Sequence, residues 1–456
     1  MSRSLSACSA ARNTRLRTGR GVAVNKMRNR AFWVPAFAAT ILFILLAALY
    51  AGGARDLYDA IIRGWGVEVF SFPFLDTDTV LSAIRCLRKG VDVFVVNPCD
   101  YLGRVYDYSP LWLTLAAFPM TLGWLQPIGF GLDIAFLAAL LLLPAGRTRR
   151  DVALIALGVV SSATVYAVER GNNDLVIFIL AAGAATLACR SPMVRVIAYM
   201  LALLAGLLKY YPMTLMALAT REGPRRFFAV TAGSIALTAL FIAIAGHDLA
   251  RALQLIPTGP YFSDMFGSIT VAGGLTQLIG WPNLMGSALH GVMVFAAILM
   301  GARLGLRDWI GEDVTRLSER ERTFLLAGIM LTCGCFFTAQ NIGYRVVHLV
   351  LLLPAMVALR RTANKRLYGW GVAATLGLLW SQGWRHALLS AVTPLGERAQ
   401  STAILMGWIV REGLWWWLIV VLIGLATALL LQSEMGLFAR RLVMRSRDFG
   451  PPRSDA

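Results

Sequence analysis

Apolar stretches long enough to cross a bilayer follow one another along this chain, and nearly every unusual polar cluster sits at an end of one of them. A helix rises about 1.5 Å per residue against about 30 Å of hydrocarbon. On that measure spans are expected near residues 32–51, 127–144, 152–168, 175–189, 227–245, 285–301, 323–338, 344–359, 367–381 and 414–431. With 57% hydrophobic and only 15% charged residues, 456 residues cannot be arranged as a soluble globule. An all-α, polytopic membrane protein is expected.

Residues 196–220 do not read as a plain span. Lys209-Tyr210-Tyr211-Pro212 breaks the run, because proline lacks a backbone donor and the residue before it avoids the α region. Two half-length helices forming a re-entrant hairpin are expected, with one kinked span as the alternative. Charge separates the two. If the N-terminus is inside and the hairpin returns to the side it left, the inside segments are 1–30, 145–151, 190–195, 221–226, 302–322, 360–366 and 432–456. These hold 30 Lys and Arg against 10 Asp and Glu, and everything else holds 13 against 15. The inside then carries +20 and the remainder −2, the positive-inside pattern over the whole chain. The basic balance is therefore topology, and no nucleic-acid partner is expected. About ten full spans plus one hairpin follow, in a bacterial plasma membrane with both termini cytoplasmic.

Residues 1–30 carry eight basic residues and no acids, and read as a disordered cytoplasmic tail or as an over-long start preceding Met27. The first apolar stretch lacks a small-x-small cleavage site and is expected to stay as a helix. A transmembrane domain then covers 31–431, with a basic cytoplasmic tail over 432–456. Residues 52–126 form the first external loop, rich in Val, Phe, Trp and Tyr and so expected to be ordered and partly helical, with 109–123 lying on or dipping into the outer face. Cys86 and Cys99 share this loop. An oxidising compartment would permit a disulfide between them, and two buried free thiols are the alternative. No spacing of Cys or His suggests a metal site, and no cofactor is expected.

Four polar clusters are expected to converge on the external side: 74–79, 97–110, 169–174, and 209–212 together with 340–345. Charges at bilayer depth cost about 2.5–3.5 kcal/mol each and are functional candidates. Carboxylates, amides, tyrosines and cations facing one compartment suit a hydroxyl-rich, anion-bearing ligand at the boundary of lipid and water.

The order of short motifs resembles the C-type (GT-C) integral-membrane glycosyltransferases, and most closely glycosyltransferase family 87. The residues that carry the resemblance are an early loop aspartate, Gly90 to Val93 (Gly-Val-Asp-Val), Asn97-Pro98, and Tyr108 to Trp112. After these come Arg170 to Asp174 (Arg-Gly-Asn-Asn-Asp), Lys209 to Pro212, and Tyr344-Arg345 before an apolar helix with Pro354. It covers roughly residues 75–354. The double Asn followed by Asp at 172–174 is more acidic than the turn of that family. The resemblance implies inverting transfer of a hexose or pentose, such as mannose, from a polyprenyl-phosphate donor to a glycolipid or cell-envelope glycan acceptor, at the external face and without a metal.

On that resemblance Asp76 is the base that takes the acceptor proton, with Asp78 as substitute; capping a helix that begins near Thr79 is the plain alternative for Asp76. Lys209 and Arg345 would hold the donor phosphate, or else snorkel or pair with Glu169 and Asp174. Arg170, Asn172, Asn173 and Asp174 either meet the sugar or form a capping network. Tyr108, Tyr211 and Tyr344 either stack on sugar rings or belong to an interfacial aromatic belt. His348, one helical turn from Arg345, either joins the phosphate site or is a core histidine. Trp415-Trp416-Trp417 reads as an interfacial anchor, and Asp133, inside the second span, needs an internal partner. Two other classes fit part of the pattern: a transporter or flippase of lipid-linked sugars, and a non-catalytic envelope-assembly protein.

Overall fold

The computed structural model describes residues 33–256 and 258–448; the basic stretch 1–30 lies outside them. Among the described residues the architecture is all-helical, with a single isolated β-bridge between Phe266 and Asn341. Seven helices are long and apolar enough to cross a membrane: Val34–Ala51, Leu122–Leu140, Pro192–Lys209, Pro224–Gln254, Asn283–Gly305, Glu319–Thr338 and Glu397–Leu431. Arg149–Val159 and Ser162–Glu169, bent by 41° at their junction, make an eighth if taken as one span. Asn173–Ala188 and Gly343–Leu359 are apolar but shorter, and Lys365–Leu379 has 15 residues.

The centre of the bundle is Leu349–Leu359, in which every residue is buried. A helix apolar all round has no face to offer solvent and belongs inside. It packs against Arg149–Val159, Glu319–Thr338 and Lys365–Leu379. Backbones approach closely where side chains vanish: a Cβ on Gly305 would lie 2.4 Å from the carbonyl oxygen of Gly424, so Asn283–Gly305 seats directly on Glu397–Leu431. Trp415 is not an interfacial anchor. It is buried, stacked on Phe266 with ring centroids 4.5 Å apart, because the long last span runs through the packed interior. Pro224–Gln254 is the opposite case, 31 residues with only Ala252 buried, a helix standing off the bundle with its apolar side chains outward.

The hairpin over 196–220 forms, with unequal arms. Its first arm is a full 18-residue helix, Pro192–Lys209, because Pro212 lies beyond the helix and disturbs nothing within it. The break falls at Tyr210, with φ 63°, and the chain returns as a 3₁₀ segment, Tyr211–Arg221. Arg195 and Tyr199 on the first arm bond Glu222 at 3.0 and 2.7 Å, so the hairpin ends beside its start.

The segments with the basic excess meet one another at that end. Arg147 pairs with Glu321 at 2.6 Å, Arg361 with Asp151, Arg221 with Glu319, and Asn364 bonds Asp313 at 2.9 Å. Residues 434–448 continue there as a helix against the hairpin's return arm. Residues 52–126 hold the other end, with helices Arg55–Gly64 and Leu75–Arg88 and a 3₁₀ segment Pro110–Ala117. Cys86 and Cys99 are bonded, with Cα atoms 5.9 Å apart.

Two outcomes follow. In a chain otherwise free of reactive thiols, Arg226→Cys and Leu102→Cys react with an impermeant maleimide from opposite sides of the membrane; labelling of both in intact cells would break this topology. Replacing Cys86 and Cys99 together by Ser lowers stability by about 3 kcal/mol, as expected for a short closed loop, read as a fall in the unfolding midpoint of purified protein.

Candidate active site

Two backbone segments build the floor of the site. Phe74 N–H donates to Glu169 O at 2.7 Å, Asp76 N–H to Arg170 O at 2.9 Å, and the Thr77 hydroxyl to Gly171 O at 2.7 Å. Gly171 has φ +53°, and a Cβ there would meet the Thr77 oxygen at 2.6 Å, so only glycine fits. The left-handed position of this turn thus belongs to Gly171, and neither Asn172 nor Asn173 takes it. Phe74 is also left-handed, φ 68°, and it starts the helix Leu75–Arg88. Asp76 therefore lies within the first turn of that helix and does not cap it. Phe74 and Tyr210 are the two non-glycine residues with positive φ among the described residues, each within two positions of a charged site residue. Such conformations cost about 1–3 kcal/mol and persist where the surroundings hold them.

Asn172 caps the helix Asn173–Ala188, its side-chain oxygen accepting from Asp174 N at 2.7 Å. Its amide nitrogen donates to Asp76 Oδ2 at 2.5 Å, and Lys209 Nζ donates to its oxygen at 3.4 Å. Asp174 is fully buried and gathers four groups: Lys209 Nζ at 2.6 Å, Tyr211 OH at 2.5 Å, Arg345 Nε at 3.4 Å and His348 Nε2 at 3.5 Å. His348 Nε2 also lies 2.6 Å from Tyr211 OH. Arg345 donates to Asn341, whose backbone forms the β-bridge to Phe266. The expected pairing of Lys209 and Arg345 with an acid is thus present, through Asp174 and not Glu169.

In front of this network lies a cavity of about 620 Å³. Asp76, Arg104, Asp107, Tyr108, Lys209, Tyr211, Tyr344 and Arg345 line its polar part; Leu208, Leu253, Leu255, Ile256 and Met265 line an apolar part. Lys209 Nζ lies 5.6 and 5.9 Å from the ring centres of Tyr108 and Tyr344, a pairing of ammonium with aromatic faces. Ser109 and Trp112 tie the loop to the hairpin tip, donating to the carbonyls of Leu207 and Leu208 at 2.7 and 3.3 Å.

Not every candidate reaches this cavity. Asn172, Asp174 and His348 stand behind its wall, and His348 acts through Tyr211 and Asp174. Arg170 turns away, donating to Glu68 O at 3.0 Å and lying 4.1 Å from the centre of the Phe70 ring. Asn173 is buried with its amide nitrogen unpartnered among the described residues. Asp78 faces Ser82 at 3.3 Å, off the cavity, and burial, with Asp100 nearby, raises its carboxyl above the usual range.

Two lining residues fell within the expected polar cluster 97–110 but were given no role of their own. Arg104 NH1 sits 3.5 Å from Asp76 Oδ1, while Asp100 holds the same guanidinium at 3.1 Å. Its signal was the i, i+4 spacing of Asp100 and Arg104 inside the polar loop cluster. Asp107 lines the cavity without an ion pair, and burial pushes its carboxyl up against the pull of Arg345, Lys209 and Arg104.

Among solved structures, ArnT from Cupriavidus metallidurans in the apo state aligns with 83% of this chain and 78% of its own, at 14% identity and a TM-score of 0.33. No protein-family model and no curated protein matches the sequence.

Asp174→Asn leaves Lys209 and Arg345 without their carboxylate and is expected to cost about 3–5 kcal/mol, measured by thermal unfolding in detergent. Adding Lys209→Met to it recovers part of that loss. Equal losses in the single and double variants would show that the pairing carries no such energy.

Proposed function

We propose that this chain is an integral-membrane glycosyltransferase that moves a sugar from a polyprenyl-phosphate carrier to an acceptor hydroxyl at the external membrane face, with inversion. The observation that carries the reading is one cavity that combines two carboxyl groups, three cations and an apolar wall: Asp76 and Asp107, then Arg104, Lys209 and Arg345, then Leu253, Leu255 and Ile256. The resemblance of the sequence motifs to C-type glycosyltransferases, and to family 87 among them, points the same way.

The chemistry needs little more. A lipid phosphate is a good leaving group, so it needs its charge held rather than a proton supplied. Asp174 supplies one negative charge to both Lys209 and Arg345. The excess positive charge is what an arriving phosphodiester neutralises, and its isoprenoid chain has the apolar wall and the outward-facing helix Pro224–Gln254 to run along. Asp76 takes the acceptor proton as the acceptor oxygen attacks the anomeric carbon. The bond from that carbon to the phosphate oxygen breaks, and the polyprenyl phosphate leaves against the cations. Tyr108 and Tyr344 offer ring faces to the sugar.

The placement that suits this chemistry is a bacterial plasma membrane with both termini cytoplasmic, about ten spans and the hairpin, and the cavity opening externally. The ion-paired end with its basic excess supports that orientation.

The test is sugar transfer in liposomes from a panel of radiolabelled polyprenyl-phosphate sugars to a membrane lipid extract. Asp76→Asn lowers turnover by about 10²–10⁴ while donor binding survives, as loss of a general base does. Arg345→Gln weakens donor binding by about ten-fold or more, as loss of a charge-assisted contact does. A folded wild-type protein that transfers no sugar, or Asp76→Asn at wild-type rate, defeats the reading.

A further inference from the structure

A second cavity lies across the Phe74–Asp76 turn from the first. It measures about 250 Å³ and runs between Val34–Ala51, Leu125–Leu140 and Ser162–Glu169. Phe43, Leu46, Phe130, Ile134 and Val165 make it almost wholly apolar, and Phe74 forms the wall on the side of Asp76. Two of its bounding helices carry exposed apolar residues, Ile41, Ile44 and Ile134 among them, so the slot opens toward hydrocarbon.

Two carboxyl groups interrupt this lining. Asp133 is 9% exposed, and its Oδ1 has no partner among the described residues. Glu169 is 5% exposed; its Oε2 lies 3.4 Å from Arg170 but makes no hydrogen bond. An unpaired polar group in hydrocarbon costs several kcal/mol as an order of magnitude, and natural proteins carry few of them. Packing does not require Asp133, since leucine has nearly its shape and would suit the lining better. The group therefore points to an occupant that brings hydrogen-bond donors of its own.

We propose that this slot binds a hydroxyl-bearing lipid, its chain among Phe43, Leu46 and Ile134 and its hydroxyls donating to Asp133 and Glu169. The chemistry separates the two cavities. Cations line the first and suit a phosphate, whereas the second offers acceptors and would repel one. An ammonium head is the poorer fit, because a full charge at this depth loses more hydration than a hydroxyl does. On the reading of Asp76 as the base, on which this last step rests, the occupant is the acceptor: Phe74 walls the slot, and Asp76, two residues on, lines the first cavity. The acceptor is then a membrane-anchored hydroxyl lipid and not a detached glycan.

The test uses the full chain in phosphatidylcholine nanodiscs and photoreactive probes that share one diazirine alkyl chain. One bears a glucoside head and the other a phosphate. Crosslinked peptides are mapped by mass spectrometry. The glucoside probe is expected to label segments 43–62 and 130–137, and labelling falls about ten-fold in Asp133→Leu, the loss of a hydrogen bond to an acidic group. Ala47→Phe, which blocks the slot from its lipid side without touching either carboxyl, abolishes the same labelling and serves where Asp133→Leu does not fold. Labelling of those segments by the phosphate probe to the same extent, or unaltered glucoside labelling in both variants, overturns the proposal. Labelling as expected in a protein that transfers no sugar leaves the lipid site standing and removes glycosyl transfer instead.

Discussion

One buried carboxylate holds this end of the molecule together. Asp174 stands at the start of the helix Asn173–Ala188, and the groups it binds come from the tip of the hairpin, Lys209 and Tyr211, and from the segment Gly343–His348. Three parts of the chain that share no local sequence meet on two oxygen atoms. A charge at full burial is tolerated only where partners satisfy it, so each partner is obliged to be in place before the others gain anything. The helix N-terminus adds its own field, with Asp174 in the first turn where a negative charge is favoured. The hairpin exists in this form because its tip has that anchor. Tyr210 is held in a strained backbone conformation between Lys209 and Tyr211, both of which Asp174 binds.

The second dependency is backbone pairing between the loop and the bundle. The Phe74–Asp76 stretch docks on Glu169–Gly171 through main-chain bonds, which orient the first turn of Leu75–Arg88 whatever the side chains do. Gly171 permits the close approach, and Phe74 turns the chain so that Asp76 reaches one cavity while its own ring closes another. A carboxylate fixed by backbone geometry needs little reorganisation when a ligand arrives.

The sequence made the scaffold legible because lipid imposes a length scale. A helix overlaps each of the ten expected stretches, but seven helices of the described residues are long and apolar enough to cross a bilayer, eight with the bent pair, and one of the seven is the hairpin's first arm, whose return segment ends beside its start. Shorter-range geometry was less readable. Proline at 212 was expected to halve the first arm, but a proline acts on its own turn and the one before, and the helix had already ended at Lys209. A tyrosine with positive φ has no sequence signature, so the position of the break was hidden. The candidate residues divide for a similar reason. Asp76, Lys209, Arg345, Tyr108, Tyr211 and Tyr344 share a cavity, whereas Asp78, Arg170 and Asn173 stand beside them in sequence and point elsewhere, since helix and turn geometry send neighbours to different faces. Arg104 was missed because an arginine in an external loop looks solvated until its neighbours are known.

The acidic turn at 172–174, which departs from the family it resembles, makes sense as a way to keep Asp76 apart from Lys209. Arg104 already lies 3.5 Å from Asp76 Oδ1, and a second cation in direct contact would hold that carboxylate more tightly still. Asn172 stands between them, donating to Asp76 through its nitrogen and accepting from Lys209 through its oxygen. An aspartate there could accept from Lys209 but would repel Asp76, and an apolar residue would satisfy neither. Asp174 completes the arrangement by drawing the ammonium to 2.6 Å on the far side of the amide. The extra acid thus acts on Lys209, so Asp76 keeps the Asn172 amide and the Arg104 guanidinium as its neighbours and not the Lys209 ammonium.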